Sequence, residues 1–421
     1  VSHPRRVLTI GLSLLALLAL AACGSKTKSS GGSEQGGVKV GPGVTQKQIT
    51  LGVMTDLSGV FAALGQALTQ GQQAYWKQHN AAGGVCGRTV KLIVKDHGYD
   101  PQTAVTQYRD ISTGILGLQQ LLGSPVTAAL LPNLERDSMY SSLAAWPPSL
   151  LPSKVIAITG ATYDLEAING IDWLMKNKGL KSGDAIGDLY FEGDYGEGGL
   201  KGVKYAAAKH GLKVVEQKIK ATDTDMSGQV SAFKQAGVKA IWVTTGPKQL
   251  ASLAGVAAAQ GLDVPIAGNN PIFSPLLLQT PVGKVLEKNV TVFSGTAPIA
   301  LDKPAVAKAA GAFKEDYPKG VAQGAVIAGW AEGEVMNQVL TKACGNKDLT
   351  RKGVVAALHS VKNLDTGGLI AAPMDFTNVG QPSEKAVYVL KIDKGATGGA
   401  RALGGPYTSP TAQGYSEGAA S

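Results

Sequence analysis

From residue 49 onward, short apolar runs alternate with longer stretches of helical periodicity, and that alternation limits the chain to few architectures. Residues 49–54 read as a strand ending in the turn Asp56-Leu57-Ser58-Gly59. In the helix that follows, Leu64, Leu68, Gly71 and Tyr75 share one face, and Gly83-Gly84 supply a C-terminal cap. Further strands are read at 90–94, 115–122, 155–158, 185–191, 214–219, 240–244, 265–268 and 290–293. Helical patterns fall at 101–108, 167–176, 198–209, 229–235 and 250–259, then at 305–313 and 326–344. Short strands near 374–376 and 387–392 close the pattern. Strands of this length separated by helices imply parallel sheets covered on both faces. The expected fold class is α/β, with two doubly wound Rossmann-like lobes, because 421 residues exceed one ordinary core.

The N-terminus carries a different signal. Arg5 and Arg6 precede an uncharged, leucine-rich run from residue 7 to 22 that is too short to span a bilayer as a mature helix. It ends Leu20-Ala21-Ala22-Cys23, a pattern that resembles a bacterial lipobox with Cys23 as the lipidated residue. The expectation is therefore a signal peptide over residues 1–22, a lipid anchor on Cys23 and an extracytoplasmic location. Residues 23–44 are rich in Gly, Ser and Lys and read as a flexible tether, and residues 395–421 as a disordered tail. Within that tail, Gly414-Tyr415-Ser416-Glu417-Gly418 matches a hydrolase nucleophile elbow in letters only, because it lacks the strand and helix that elbow requires.

Composition and motifs exclude several functions. The net charge of +9 comes from scattered Lys and Arg without interleaved aromatics, so nucleic acid is not an expected partner. The five His residues are dispersed and no Cys-x-x-Cys occurs, so neither a metal site nor a cofactor is expected. No catalytic constellation stands in the strand-end turns, and the chain is not expected to be an enzyme. With Cys23 lipidated, Cys86 and Cys344 remain as an even pair, read as a disulfide in preference to two free thiols.

In doubly wound sheets, ligands bind beyond the carboxyl ends of the strands. Four turns qualify. The first holds Ser58 and Phe61, with Leu64 on the helix behind it. In the second, Ser124 reads as an N-cap before Pro125, and with Thr127 it could hold a carboxylate at a helix N-terminus. The third places Tyr195 among glycines, where it can cover a ligand. The fourth set supplies Thr245, Gly246 and Asn270.

These segments together resemble the leucine/isoleucine/valine-binding type of solute-binding proteins, which have the type I periplasmic-binding fold. The resemblance rests on residues 52–59, Ala63-Leu64-Gly65, Asn80-Ala81-Ala82-Gly83-Gly84-Val85 with Gly87-Arg88, residues 100–104, residues 194–198 and Gly261-Leu262. It implies two lobes joined by crossover hinges: residues 45–162 plus 295–366, and 163–294 plus 367–394. Such a protein, expected as a monomer, closes on a small molecule and delivers it to ABC permease subunits. A receptor on the same fold that signals through a partner is the alternative. The resemblance puts Cys86 and Cys344 in the same lobe. It sets Ser124 against a ligand carboxylate, with Ser142 and Ala145 nearby, and Tyr195 against the ligand from the other lobe. Asn270 stands where amino-acid binders often carry an acid for the ammonium group. The solute is thus left open among a branched-chain amino acid, an amide, a urea-like solute and a small organic acid.

Overall fold

The computed structural model describes residues 33–416; residues 1–32, with the expected signal peptide and Cys23, lie outside the described residues, as do 417–421. The described chain opens with a short antiparallel pair, β1 (Ser33–Gln35) and β2 (Val38–Val40). The first lobe follows as β3 (Gln48–Thr55), α1 (Ala62–Ala81), β4 (Thr89–Asp96), α2 (Pro101–Ser112), β5 (Leu118–Leu122), α3 (Ser124–Arg136), β6 (Ser141–Ala144) and β7 (Ile156–Ile158). Its strands form a five-stranded parallel sheet in the order β4-β3-β5-β6-β7. Ile49, Leu51, Val53 and Met54 on β3 are all fully buried, as a sheet covered on both faces requires.

The chain then enters the second lobe through α4 (Tyr163–Lys178), β8 (Ala185–Phe191), α5 (Asp194–His210), β9 (Lys213–Ile219), α6 (Ser227–Gln235), β10 (Ala240–Thr244), α7 (Pro247–Ala259), β11 (Ile266–Asn269), α8 (Gly283–Asn289) and β12 (Val290–Ser294). It returns to the first lobe as α9 (Pro304–Asp316), α10 (Gly324–Gly345), β13 (Asp348–Leu349) and α11 (Arg351–Leu358). Finally it adds β14 (Tyr388–Ile392), β15 (Ala400–Ala402) and α12 (Pro410–Gln413) to the second lobe. The second sheet has the order β15-β14-β12-β11-β10-β8-β9, parallel except for the antiparallel β14 and β15.

Three crossovers join the lobes side by side. Ala297 donates its amide to Leu369 O and Ala371 to Gly295 O, while Ser383 Oγ donates to Ile158 O at 2.8 Å. Two buried carboxylic acids sit at this junction. Glu166 accepts from the Gly295 amide, and Glu384 accepts from the Ala386 amide. Burial pushes the Glu384 carboxyl up to about 8 and holds Glu166 well above the ordinary range.

The helix pair α1 and α10 is closed by small residues. A Cβ at Gly71 would stand 2.2 Å from Val326 O, and one at Gly329 would stand 2.1 Å from Leu68 O, so only glycine allows these backbones to meet. Cys86, past the end of α1, and Cys344, in the last turn of α10, are joined by a disulfide. α1 ends as its sequence implies: Gly83 and Gly84, at φ +109° and +66°, donate to Asn80 O and His79 O.

Several expectations are corrected. The stretch 33–44 is not a tether: β2 pairs with β13, and Val40 and Val44 are buried in the core. The stretch 395–416 is not disordered. β15 extends the second sheet, Ala412 and Tyr415 are buried, and Tyr415 stacks edge-on against Tyr205 at 4.7 Å and hydrogen-bonds Asp164. The strand read at 374–376 is only an isolated bridge from Leu364 to Met374. Finally, Gly123 rather than Ser124 is the N-cap of α3. Its φ of +100° suits glycine, and Tyr99 packs where a Cβ would lie, 2.8 Å from that position.

Candidate functional site

The carboxyl ends of both sheets face each other across a narrow cleft, and the turns there place its lining. After β3, the Asp56 carboxylate accepts from the amides of Ser58, Gly59 and Phe61. This ties the turn into one shape and aims Phe61 across the cleft. Phe61 meets Tyr99 of its own lobe edge-on at 5.0 Å, and Tyr195 and Phe191 of the other lobe at 5.9 and 6.5 Å. Tyr195 in turn meets Tyr163 at 4.8 Å, and Tyr163 lies 6.2 Å from Trp146. Edge-to-face packing at these separations is the arrangement ring quadrupoles favour.

Among and beside these rings lie three chambers of about 20, 30 and 30 Å³, each with room for a water or two. Leu64 borders all of them. The first lies against Ser124, Tyr99, Tyr163 and Tyr195; the second runs between α1 and α10 to Glu332; the third reaches Phe273, Ile299 and Gln323. The walls are mainly apolar, with Ser124, Asn270, Gln323 and Glu332 among the polar members. Larger grooves exist on the outside, such as the one of about 870 Å³ along α5, but they lie away from the strand ends. That groove is lined by lysines already engaged with acids, Lys204 with Glu216 at 2.9 Å and Lys218 with Glu197 at 3.2 Å.

The structure brings Phe61, Leu64, Ser124, Tyr195 and Asn270 to the chambers. Ser124 is buried, and its Oγ makes no well-formed hydrogen bond, with the Tyr163 hydroxyl as its neighbour. The Tyr195 hydroxyl is already committed, held between Thr245 O at 3.0 Å and the Asn269 side-chain amide at 2.9 Å, so the ring rather than the hydroxyl faces the cavity. Other expected residues stand back. Ser58 is exposed and bonded to Asp96. Thr127 Oγ1 donates to Gly123 O within α3. Thr245 Oγ1 donates to Gly246 O, and Gly246 lies against Val60. Ser142 and Ala145 are fully buried but line no chamber; Ala144 and Trp146, on either side of Ala145, do.

Sequence reasoning missed Tyr99, Trp146, Tyr163, Pro271, Ala325, Ala328 and Glu332. The last three recur at helical spacing on α10 and could have been paired with Leu64, Leu68 and Gln72 on α1. Burial pushes the Glu332 carboxyl up to about 8 and raises Tyr99, Tyr163 and Tyr195, so at neutral pH the cleft carries hydrogen-bond donors rather than charges.

Residues 48–398 match the model of the periplasmic binding protein family. The chain belongs to that family. A solved structure of a fatty acid ABC transporter substrate-binding protein from Thermomonospora curvata is 45% identical to it, covers 90% of this chain and 97% of its own, and superposes with a TM-score of 0.87. A branched-chain amino acid ABC transporter protein from Thermus thermophilus with bound valine shares the fold at 16% identity, covering 88% of this chain and 99% of its own, with a TM-score of 0.78. A curated Leu/Ile/Val-binding protein homologue from Brucella melitensis is 26% identical over 201 residues, 46% of this chain, so the match spans about half of that relative's length, 53%. Membership of this family implies an extracytoplasmic location, and the relatives are substrate-binding proteins. The α/β fold with two lobes and the kinship with leucine-binding proteins agree with the sequence.

Proposed function

We propose that this chain is the solute-binding component of an ABC importer and that its ligand is an apolar carboxylic acid of the fatty-acid or aromatic-acid type. The observation that carries this is the lining: a ring of Phe61, Tyr99, Trp146, Tyr163 and Tyr195 with aliphatic walls, and the buried Ser124 hydroxyl, beside that of Tyr163, at the N-terminus of α3. A carboxylate there meets a hydroxyl donor and the positive end of a helix, while its carbon chain replaces water along apolar walls. Asn270 offers an ammonium group no charge, which weighs against an amino acid. The fatty-acid name of the 45% identical relative supports the same class. The lobes part at the crossovers to admit the solute and close on it. The chain acts by binding, without catalysis, and as a monomer. Its membrane anchor is a lipid on Cys23, and permease subunits receive the closed form.

Thermal denaturation of the purified protein against octanoate, decanoate, benzoate, valine and leucine tests this. An acid at a hundredfold its Kd adds about 2.7 kcal/mol of stability. Ser124→Ala should weaken every acid alike. A response to valine or leucine but to none of the acids would sink the proposal.

A further inference from the structure

The second chamber ends on a group that a plain hydrocarbon tail does not need. Its walls are two helical stripes, Leu64 and Leu68 from α1 and Ala325 and Ala328 from α10, and it runs to Glu332. The next residue on the α1 stripe, Gln72, is fully buried like Glu332. Gln72 Nε2 donates to Glu332 Oε2 at 2.6 Å and to Gln120 Oε1 at 2.8 Å, and Gln120 Nε2 donates to Thr55 Oγ1 at 2.7 Å. Both amide hydrogens of Gln72 are thereby used. Two oxygens are left over, Glu332 Oε1 and Gln72 Oε1, and neither has a hydrogen-bond partner. A buried polar atom left unpaired costs about 1–3 kcal/mol, which is a reason to ask what completes it.

We infer that Glu332, held by Gln72, is a specificity-determining residue that receives a second polar group on the ligand, a hydroxyl borne on the carbon chain of the acid. The inference rests on the carboxylic-acid reading above and deepens it. Because Oε2 accepts from Gln72, the proton of the neutral acid belongs on Oε1. That oxygen then donates, and a ligand hydroxyl in the chamber that Glu332 lines accepts from it; a methylene cannot. The first chamber takes the carboxylate at Ser124. Leu64, Ala144, Tyr163 and Pro271 border both chambers, so one chain can run from Ser124 to Glu332. Tyr140 is the titratable group that faces Glu332 from the start of β6, and it stays neutral, raised by its own burial.

Calorimetric titration with decanoate and with its 3-, 6- and 10-hydroxy forms tests the inference. At least one hydroxy isomer should bind the native protein about tenfold more tightly than decanoate. Glu332→Leu should abolish that preference while binding decanoate at least as tightly as the native protein does. Glu332→Gln, a neutral donor of the same shape, should keep most of it, which guards against a Leu variant that misfolds. Decanoate binding that responds to Ser124→Ala, with no hydroxy isomer bound more tightly, overturns the role of Glu332 and leaves the carboxylate reading standing. Failure of every acid removes both.

Discussion

Replacing Glu332 by Gln should change how stability depends on pH, in a direction the burial fixes. In the unfolded chain the carboxyl ionises near its ordinary 4.5; in the folded chain burial holds it up to about 8. Below 4.5 both states are protonated and the group contributes no difference. Above it the unfolded chain releases a proton that the native state keeps. The native state then binds more protons, and rising pH favours unfolding. Between about pH 5 and pH 7 the cumulative loss is about 2.5 kcal/mol for one such group. Gln keeps the neutral shape and the acceptor for Gln72, and it does not titrate. The stability of the variant relative to the native protein should therefore rise by about 2.5 kcal/mol between about pH 5 and pH 7. Urea denaturation at stepped pH reads this directly. The half-buried His79 and the buried His97, which hold their protons less firmly than usual, tilt the native curve the opposite way. Glu166, Glu384 and Asp188 tilt it the same way as Glu332. All of these cancel in the difference between variant and native protein. A gap that stays constant across this range would refute the reasoning and would mean that Glu332 is solvated or paired with a cation.

Three further outcomes follow from the packing. Reducing the Cys86–Cys344 bond, which closes a loop with a sequence separation of 258, should lower stability by up to about 5 kcal/mol, read as a fall in the urea midpoint with reductant. Gly329→Ala puts a methyl against Leu68 O and should cost about 1–3 kcal/mol or more by forcing α1 and α10 apart, visible as a lower Tm. Truncation after Gly405 removes α12 and Tyr415 and uncovers the face of α4. A loss of about 2–4 kcal/mol should appear in thermal denaturation, and an unchanged Tm would show that the terminal stretch is not bound there.

The strands were legible because parallel strands buried on both faces are written as continuous apolar runs, and residues 49–54 and 185–191 are clear cases. The turns were legible as places, since glycines and prolines punctuate them. Which side chain faces the cleft was less so. At β6 and just beyond it the reading fell on Ser142 and Ala145, while Ala144 and Trp146 line the chambers; Ser142 shares its side of the strand with Ala144, so alternation alone does not tell which position along that side reaches the cleft. Glu332 was illegible for a different reason. On α10 it stands two residues from Glu334, and only the approach of α1 decides that Glu332 is fully buried while Glu334 is half-buried. The terminal stretches misled through composition. Glycine and serine suggested mobility, yet Val40 at one end and Ala412 at the other are buried, through the pairing of β2 with β13 and the packing of α12 on α4.

The covalent link between Cys86 and Cys344 imposes a schedule on the chain's biogenesis. A polypeptide exported N-terminus first presents Cys86 to the oxidising side long before Cys344 arrives, and every residue of the second lobe from Tyr163 to Ser294 passes in between. The early thiol has to wait, exposed to oxidases and to neighbouring chains, until its partner emerges. The sequence contains one further cysteine, Cys23, and acylation there would remove the competing partner before the wait begins. Secretion rate, supply of oxidant and timing of lipid attachment would then together decide how much of the protein matures into a single locked species and how much is diverted into crosslinked dimers.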